Sequence, residues 1–407
     1  MTALHTPFTG KRIVLGVTGS IASYKAADLA SKLAQAGATV DVILTASATR
    51  FVSPLTFQSL TGRRAYADAD LWGADAHVLH IGLARAADLL VIAPVTANTL
   101  AKLANGLADN LLTVTALAAE CPLVLAPAMD AGMFDHPTTR ANLKLLLGRG
   151  ATLIGPEEGH LASGLVARGR MSEPATILGR LRHLLAVNGP LHGRKVVVTA
   201  GGTREPVDPV RYLTNRSSGK QGYALAQAAL DAGAKVVLIS TAEGLPTPAG
   251  ARLSPVETAL EMLEAVLVEC QDADALLMAA AVADFRPAAA ASQKIKKLGG
   301  VPQLDLAPNP DILAALAEAR RGSGIPHVVV GFAAETQDLL ENAQSKLERK
   351  ALDLIVANDV AARDAGFAVD TNRVTLLSST GPAETLPLMS KAEVAGRVVE
   401  RVVELLL

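Results

Sequence analysis

The chain has 407 residues, 50% of them hydrophobic and 19% charged, which supplies apolar side chain for two or three cores and excludes a disordered chain. Lys and Arg number 38 against 39 Asp and Glu, and aromatics are only 3%, so neither the basic excess nor the stacking rings of a general nucleic-acid surface are present. Two cysteines, Cys121 and Cys270, exclude a disulfide framework and a four-thiolate zinc site and point to a reducing cytoplasm.

The first 12 residues, MTALHTPFTGKR, lack the apolar core of a signal peptide. Residues 11–46, KRIVLGVTGSIASYKAADLASKLAQAGATVDVILTA, then pass from a β-branched run through a glycine turn and an Ala-rich helical pattern to a second β-branched run. That order predicts a βαβ unit, and the continuous apolar runs predict strands covered on both faces. The turn Gly16-Val17-Thr18-Gly19-Ser20-Ile21-Ala22 can present backbone N–H groups and the Ser20 hydroxyl to an anion at a helix start. It equally serves as a plain tight connection, and it is not the GxGxxG of a nicotinamide site.

His77 and His80 stand three apart before the strand-like ADLLVIAP of residues 87–94. No cysteine or carboxylate cluster joins them, so a metal site is not expected; a proton-transfer role is open because imidazole titrates near neutrality. Residues 93–99, APVTANT, gather hydroxyl and amide groups at that strand's end. Asp109 or Asn110 then begins a helix, where capping accounts for either without a ligand. The mean hydropathy is +0.31, and the most apolar stretch, residues 111–129, contains Glu120, Pro122 and Pro127. These spoil a spanning helix of about 20 apolar residues, so a buried helix and then a buried strand are predicted, with no membrane partner.

Residues 186–194, AVNGPLHGR, break the pattern, and it restarts with RKVVVTAGGT and GYALAQAALDAGAKVVLIST. Two α/β domains follow, residues 1–190 and 191–407, each a doubly wound parallel sheet of Rossmann-like type. In such sheets ligands bind beyond the carboxyl ends of the strands. Residues 199–220 form a long connection ending in Ser217-Ser218-Gly219-Lys220, whose hydroxyls, N–H groups and cation suit phosphate, although the spacing is not that of a Walker loop. Lys294, Lys296 and Lys297 follow in KIKK. A lysine run is commonly a solvated surface, but on an extended segment Lys294 and Lys296 share one face, where they can serve a triphosphate. Asn309-Pro310-Asp311-Ile312 has the form of a capped helix start, and Lys346 and Lys350 share a helix face. Residues 374–377 and 389–407 predict a strand and a closing amphipathic helix.

In the first half, GVTGSIASYK, LHIGLARAADLLVIAPVTANTLAKLANGLADNLL, APAMDAGMFDHP and GHLASGLVARGRM occur in the order found in flavin-dependent cysteine decarboxylases, over about residues 11–185. The resemblance implies an FMN site held by Gly19 and Ser20, the segment at Ser53, and Thr96 with Asn98, with His80 as the active-site base. Two positions depart from that family. Asp130 stands where an asparagine binds the substrate carboxylate, and if ionised it repels that group. Ser163 stands where a cysteine donates a proton in the final reduction, and a serine hydroxyl is a far weaker acid than a thiol.

In the second half, AGGTREPVDPVRYLTNRSSGKQG, AAAVADFRP, KIKK, NPDIL, GFAAET and DLIVAND resemble phosphopantothenate–cysteine ligase, from residue 193 to about 388. That resemblance implies CTP contacts from Met278, Ala279, Ala280, Asp284, Lys294, Pro310, Asp311, Ile312, Leu313, Phe332, Lys346 and Lys350. It implies that Asn215, with Lys294, acts on the acyl-cytidylate intermediate, and that Mg²⁺ or Mn²⁺ accompanies CTP with no metal site of the protein's own. The domain order is that of the bifunctional coenzyme A biosynthesis family. Ligation of 4'-phosphopantothenate to cysteine and decarboxylation to 4'-phosphopantetheine are therefore expected, in a dodecamer of trimeric flavin domains and dimeric ligase domains. Two alternatives are a working ligase with an impaired or structural flavin domain, as Asp130 and Ser163 suggest, and a flavin-binding regulatory subunit. The acidic tail associated with such regulators is missing from the C-terminus VVERVVELLL.

Overall fold

The computed structural model describes residues 6–72, 78–296, 303–335, 339–359, 370–378 and 381–407. They form two compact units that divide between Leu185 and Ala186.

The first unit alternates strands and helices: β1 (Arg12–Val17), α1 (Ser23–Gln35), β2 (Thr39–Leu44), α2 (Pro54–Thr61), β3 (Ala65–Ala67), α3 (Leu79–Ala86), β4 (Leu89–Val95), α4 (Ala97–Asn105), α5 (Leu111–Ala118) and β5 (Leu123–Pro127). It ends with α6 (Ala131–Asp135), α7 (Pro137–Gly148), β6 (Thr152–Leu153), the hairpin β7 (Glu157–His160) and β8 (Val166–Arg170), and α8 (Pro174–Ala186). The main sheet has the order β3-β2-β1-β4-β5-β6 and is parallel throughout. Alternate residues of β1 feed opposite cores, Ile13, Leu15 and Val17 with α1 and α8, Val14 with α3, α4, α5 and α7. A Cβ on Gly16 would lie 2.5 Å from Leu112 Cδ1, so glycine lets α5 sit directly on the central strand. The helix and strand expected over residues 111–129 are α5 and β5.

The second unit repeats the plan: β9 (Lys195–Ala200), the hairpin β10 (Arg204–Asp208) and β11 (Arg211–Thr214), α9 (Lys220–Asp231), β12 (Lys235–Ser240), β13 (Arg252–Pro255), α10 (Ala259–Glu269), β14 (Ala275–Met278), β15 (Phe285–Pro287), β16 (Leu306–Pro308) and α11 (Ile312–Ser323). Then come β17 (Val328–Glu335), α12 (Leu339–Arg349), β18 (Leu354–Asp359), β19 (Thr371–Asn372), β20 (Val374–Ser378), β21 (Glu384–Thr385), β22 (Met389–Ser390) and α13 (Lys391–Leu406). Its large sheet runs β13-β12-β9-β14-β17-β18-β20-β21, parallel from β13 to β18 and antiparallel at β20 and β21. Both units therefore match the doubly wound expectation, with an antiparallel edge added to the second, as large sheets often have.

The order of strands reverses between β1 and β4 in one unit and between β9 and β14 in the other, and the crevice at such a reversal is where ligands bind. The long connection after β9 is not structureless, since β10 and β11 pair within it. The closing amphipathic helix is α13, whose Val394, Val398 and Val402 are buried. Among the described residues no helix is long and apolar enough to cross a membrane.

Candidate active sites

In the first unit a cavity of about 380 Å³ opens at the reversal point, lined by residues 19–22 and 96–97, by residues 128–130, and by the loop and strand at residues 160–163 and 169–171. A Cβ on Gly19 would fall 2.4 Å from Ser47 Cβ, so the turn needs glycine to pass its neighbouring loop. The Thr96 N–H donates to Thr18 Oγ1 at 3.0 Å and that hydroxyl donates to Pro94 O at 2.8 Å, which ties the ends of β1 and β4 together. Thr96 also caps α4. No side chain caps α1, and the turn before it, with Tyr24 and Lys25, faces the cavity, so the positive end of a helix dipole is directed there.

Lys25 is buried and donates to Glu173 Oε1 at 2.9 Å and Met171 O at 3.2 Å, fastening α1 to the end of the 163–171 segment. Sequence reasoning missed it, yet Lys25 stands four and eight residues before the buried Leu29 and Leu33, a cation on an apolar face.

The two positions that depart from the decarboxylase pattern touch each other. Ser163 Oγ donates to Asp130 Oδ2 at 2.6 Å, and the Gly132 N–H donates to Asp130 Oδ1 at 3.0 Å, so Asp130 also caps α6. The Ser163 bond, then the Gly132 bond, hold the Asp130 carboxyl below its ordinary range. An ionised carboxylate therefore lines this cavity at neutral pH.

Ser20, Thr96, Asp130 and Ser163 meet around this cavity, whereas Ser53, Asn98 and His80 are not among its lining residues. Ser53 caps α2, accepting from the Leu55 N–H at 3.2 Å, and Asn98 is exposed on the first turn of α4. His80 lies on α3, its Nδ1 buried with no hydrogen-bond partner among the described residues. His77 lies outside the described residues. At the start of α5 the cap is Asn110, in a capping box with Thr113, while Asp109 pairs with Lys102.

The second unit has a larger cavity, about 530 Å³, at its own reversal point. Gly219 precedes α9 at φ +76°, where a Cβ would sit 2.6 Å from Ala242 Cβ; a Cβ on Gly222 would sit 2.5 Å from Ala200 Cβ, so α9 packs hard against β9. Residues 217–222 line one wall. Asn215 Nδ2 donates to Val282 O at 2.9 Å, drawing the hairpin's end to the segment after β14. Asn309 donates from its backbone to Asp284 O and from Nδ2 to Ala283 O, each at 2.8 Å, which joins residues 279–284 to the start of α11.

Met278, Ala279, Ala280, Asp284, Pro310, Asp311, Ile312, Leu313, Phe332, Lys346 and Lys350 all line this cavity with Asn215. Asp311 both caps α11, through the Ala314 N–H, and pairs with Lys350 at 3.2 Å, so the capping carboxylate is also part of the cavity wall. Lys294 is not among the lining residues. It is exposed, and its neighbour Ile295 is bonded to Asp208 and Arg211. Lys297 and Thr336, quoted with these motifs, lie outside the described residues.

Lys391, Asn358 and Asn372 line the cavity without having been expected. Lys391 is 8% exposed, and burial first, then Lys220, press its pKa below the ordinary lysine value. Locally it is only a helix start within the Ser390–Glu393 capping box, so no signal in its own segment marks it. Two buried acceptors, Gln221 Oε1 and Asn358 Oδ1, have no donor among the described residues, which a ligand bringing hydroxyl or amino groups would supply. Among the described residues no three His, Cys, Asp or Glu side chains stand together as a metal site.

Residues 1–185 match the family described as Flavoprotein, and residues 191–406 match the DNA/pantothenate metabolism flavoprotein C-terminal domain. Over 398 residues the chain is 47% identical to the coenzyme A biosynthesis bifunctional protein CoaBC of Bacillus subtilis (strain 168), covering 97% of each chain. Over 408 residues it is 44% identical to the protein of that name from Mycobacterium tuberculosis (strain ATCC 25618 / H37Rv), again covering 97% of each. A solved C-terminal domain of a coenzyme A biosynthesis bifunctional protein CoaBC aligns with 54% of this chain and 98% of its own, at 37% identity and a TM-score of 0.46.

Proposed function

The chain belongs to the family of coenzyme A biosynthesis bifunctional proteins, enzymes that join a flavoprotein domain to a ligase domain, and from that premise we propose which substrates each cavity takes and which residues act on them. Residues 191–407 ligate 4'-phosphopantothenate to cysteine with CTP, and residues 1–190 decarboxylate the product to 4'-phosphopantetheine with FMN.

In ligation the substrate carboxylate attacks the α-phosphorus of CTP and pyrophosphate leaves; the cysteine amine then displaces CMP from the acyl-cytidylate. The charge on the triphosphate calls for cations and N–H donors rather than a covalent nucleophile. The start of α9, with Lys220, Lys346, Lys350 and Lys391, supports this by bringing four ammonium groups to the cavity, of which Lys220 pairs with Asp370 and Lys350 with Asp311, and Mg²⁺ enters carried by the nucleotide. Gln221 Oε1 and Asn358 Oδ1 are acceptors for nucleotide donors. Asn215, anchored through its Nδ2, directs its amide toward the acyl-cytidylate. The observation that carries the reading is the convergence of motifs from residue 215 to residue 350 on one cavity.

FMN held in this cavity would supply two-electron redox chemistry, as acceptor for the oxidation at the thiol-bearing carbon that lets CO₂ leave and as donor for the reduction that follows. The glycine turn, the uncapped α1 and the Thr96 loop fit its phosphate and ring edge. His80 moves the proton of the first step, and Ser163, bonded to Asp130, delivers one in the last. Because His80, Ser53 and Asn98 stand outside the cavity of their own chain, a second copy completes the site. Exposed Ile21, Tyr24, Phe51, Leu55, Trp72 and Val78 supply an apolar surface for that contact. Trimeric flavin domains and dimeric ligase domains then make a cytoplasmic dodecamer.

Product analysis tests the whole. With phosphopantothenate, cysteine, CTP and Mg²⁺, mass spectrometry is expected to find 4'-phosphopantetheine and one CMP per product. Arrest at phosphopantothenoylcysteine, or at an oxidised decarboxylated enethiol, would instead favour the working ligase with an impaired flavin domain, for which the Asp130–Ser163 contact is the motive.

A further inference from the structure

Asp208, the last residue of β10, has a fully enclosed side chain and more bonds than the turn after it requires. Its Oδ1 accepts from the N–H groups of Val210 and Arg211, each at 2.9 Å, which closes the turn. Its Oδ2 accepts from Arg211 Nε at 2.9 Å and, across 87 positions of sequence, from the Ile295 N–H at 3.1 Å. Arg211 Nη2 returns the contact by donating to Ile295 O at 2.9 Å. One ion pair thus grips a single residue by both its backbone groups. The Ala291 N–H adds a bond to Val207 O at 2.9 Å, so the segment is fastened along β10 as well.

Ile295 is half-buried, and its neighbours Lys294 and Lys296 are exposed. A Cα lies about 3.8 Å from the next, so fixing both polar groups of one residue fixes the origin of its neighbour's side chain. The Arg211 side-chain bond, with the backbone bonds, holds the Asp208 carboxyl far below the carboxylate range, so the latch stays ionised wherever the enzyme works.

We propose that Asp208, with Arg211, is a positioning residue of the ligase reaction, holding the backbone at Ile295 so that Lys294 is delivered to the acyl-nucleotide intermediate. The inference rests on the role proposed above for Lys294. Asp208 touches no substrate; it acts through the latch.

The test uses the full chain in four forms: wild type, D208N, K294Q and the double variant. Displacing a catalytic group by about 1 Å costs about 100-fold in rate, so D208N is expected to lower kcat for CTP-dependent amide formation by about 10- to 100-fold, with KM for CTP changed far less. In the K294Q background D208N is expected to add almost nothing, because coupled residues are not additive. Limited trypsin digestion of the folded chain, read by mass spectrometry, is expected to cut after Lys294 and Lys296 about tenfold faster in D208N. R211K, which keeps the charge and loses the forked grip, is expected to give the same pattern and replaces D208N if that variant does not fold. Equal losses from D208N in both backgrounds, or unchanged cleavage, would overturn the proposal. A K294Q chain that ligates normally would remove the role given to Lys294 and with it Asp208's part in the reaction; faster cleavage in D208N would still distinguish that failure from the loss of the latch itself.

Discussion

The two units share one sheet plan, 3-2-1-4-5-6 in their parallel strands, and place a cavity at the same reversal point, yet they fill it differently. Around the ligase cavity stand all of the expected residues except Lys294; around the flavin cavity stand Gly19, Ser20, Thr96, Asp130 and Ser163, while Ser53, Asn98 and His80 lie elsewhere. The ligase cavity is lined within one chain by strand ends together with the starts of α9 and α11 and by Lys346 of α12. The flavin site proposed above differs in calling on α2, α3 and α4 of a second copy.

The largest effect that would sharpen this contrast is expected at His80. His80→Asn should lower decarboxylation by about 10²- to 10⁴-fold, the usual contribution of a general base, while pyrophosphate release by the ligase stays at the wild-type rate. A matching fall in both rates would break the separation of the two sites.

Next in size is Lys391→Met. Losing a hydrogen bond from a buried cation costs about 1.5–3 kcal/mol, or roughly 10- to 100-fold, and should appear in KM for CTP. The pH dependence has a definite sign. Burial and Lys220 depress the Lys391 pKa, so its charge is present below that value and lost as pH rises through it, short of the ordinary lysine range. KM for CTP in wild type should therefore climb on the alkaline side, and in Lys391→Met this climb should be absent.

Smaller, and confined to stability, is Gly222→Ala. Its Cβ would meet the Ala200 Cβ at 2.5 Å and the Thr199 carbonyl oxygen at 2.7 Å, and such overpacking costs about 1–3 kcal/mol. Calorimetry should show the ligase unit melting lower with the flavin unit unmoved. The smallest effect is expected for Asp130→Asn, which removes a negative charge from the cavity proposed to take the substrate carboxylate. KM for decarboxylation should fall several-fold, and a rise would mean that the Asp130 carboxylate assists binding.

Much of this was legible in the chain. Runs such as RIVLGV and KVVVTA, each followed by a glycine turn and an Ala-rich pattern, specify buried parallel strands and their helices, and both units have them. The hairpin of β10 and β11 was not legible, because Pro206 argues against a strand and is tolerated only in a pair away from the main sheet. Lys391 was hidden for a different reason: α13 packs beside α9 only once the sheet is complete, and no local pattern announces which helix start will close a cavity. Asp208 was visible as one more turn aspartate, and its bond to Ile295 exists only in three dimensions. His80 was marked by resemblance alone, and nothing in its own segment says that it lies apart from Ser20.

The contrast between the two sites is tested most directly by mixing subunits. Ser20→Asp sets a negative charge at the start of α1 and should bar the flavin from its own chain, and His80→Asn should lack the base; each alone should be inactive in decarboxylation. Differently tagged copies of the two are co-expressed, purified through both tags and assayed for CO₂ release. Recovery of a substantial fraction of wild-type activity is expected, because the His80→Asn chain supplies an intact cavity and the Ser20→Asp chain supplies His80. Mixed oligomers as inactive as their parents would contradict a site completed by a second copy.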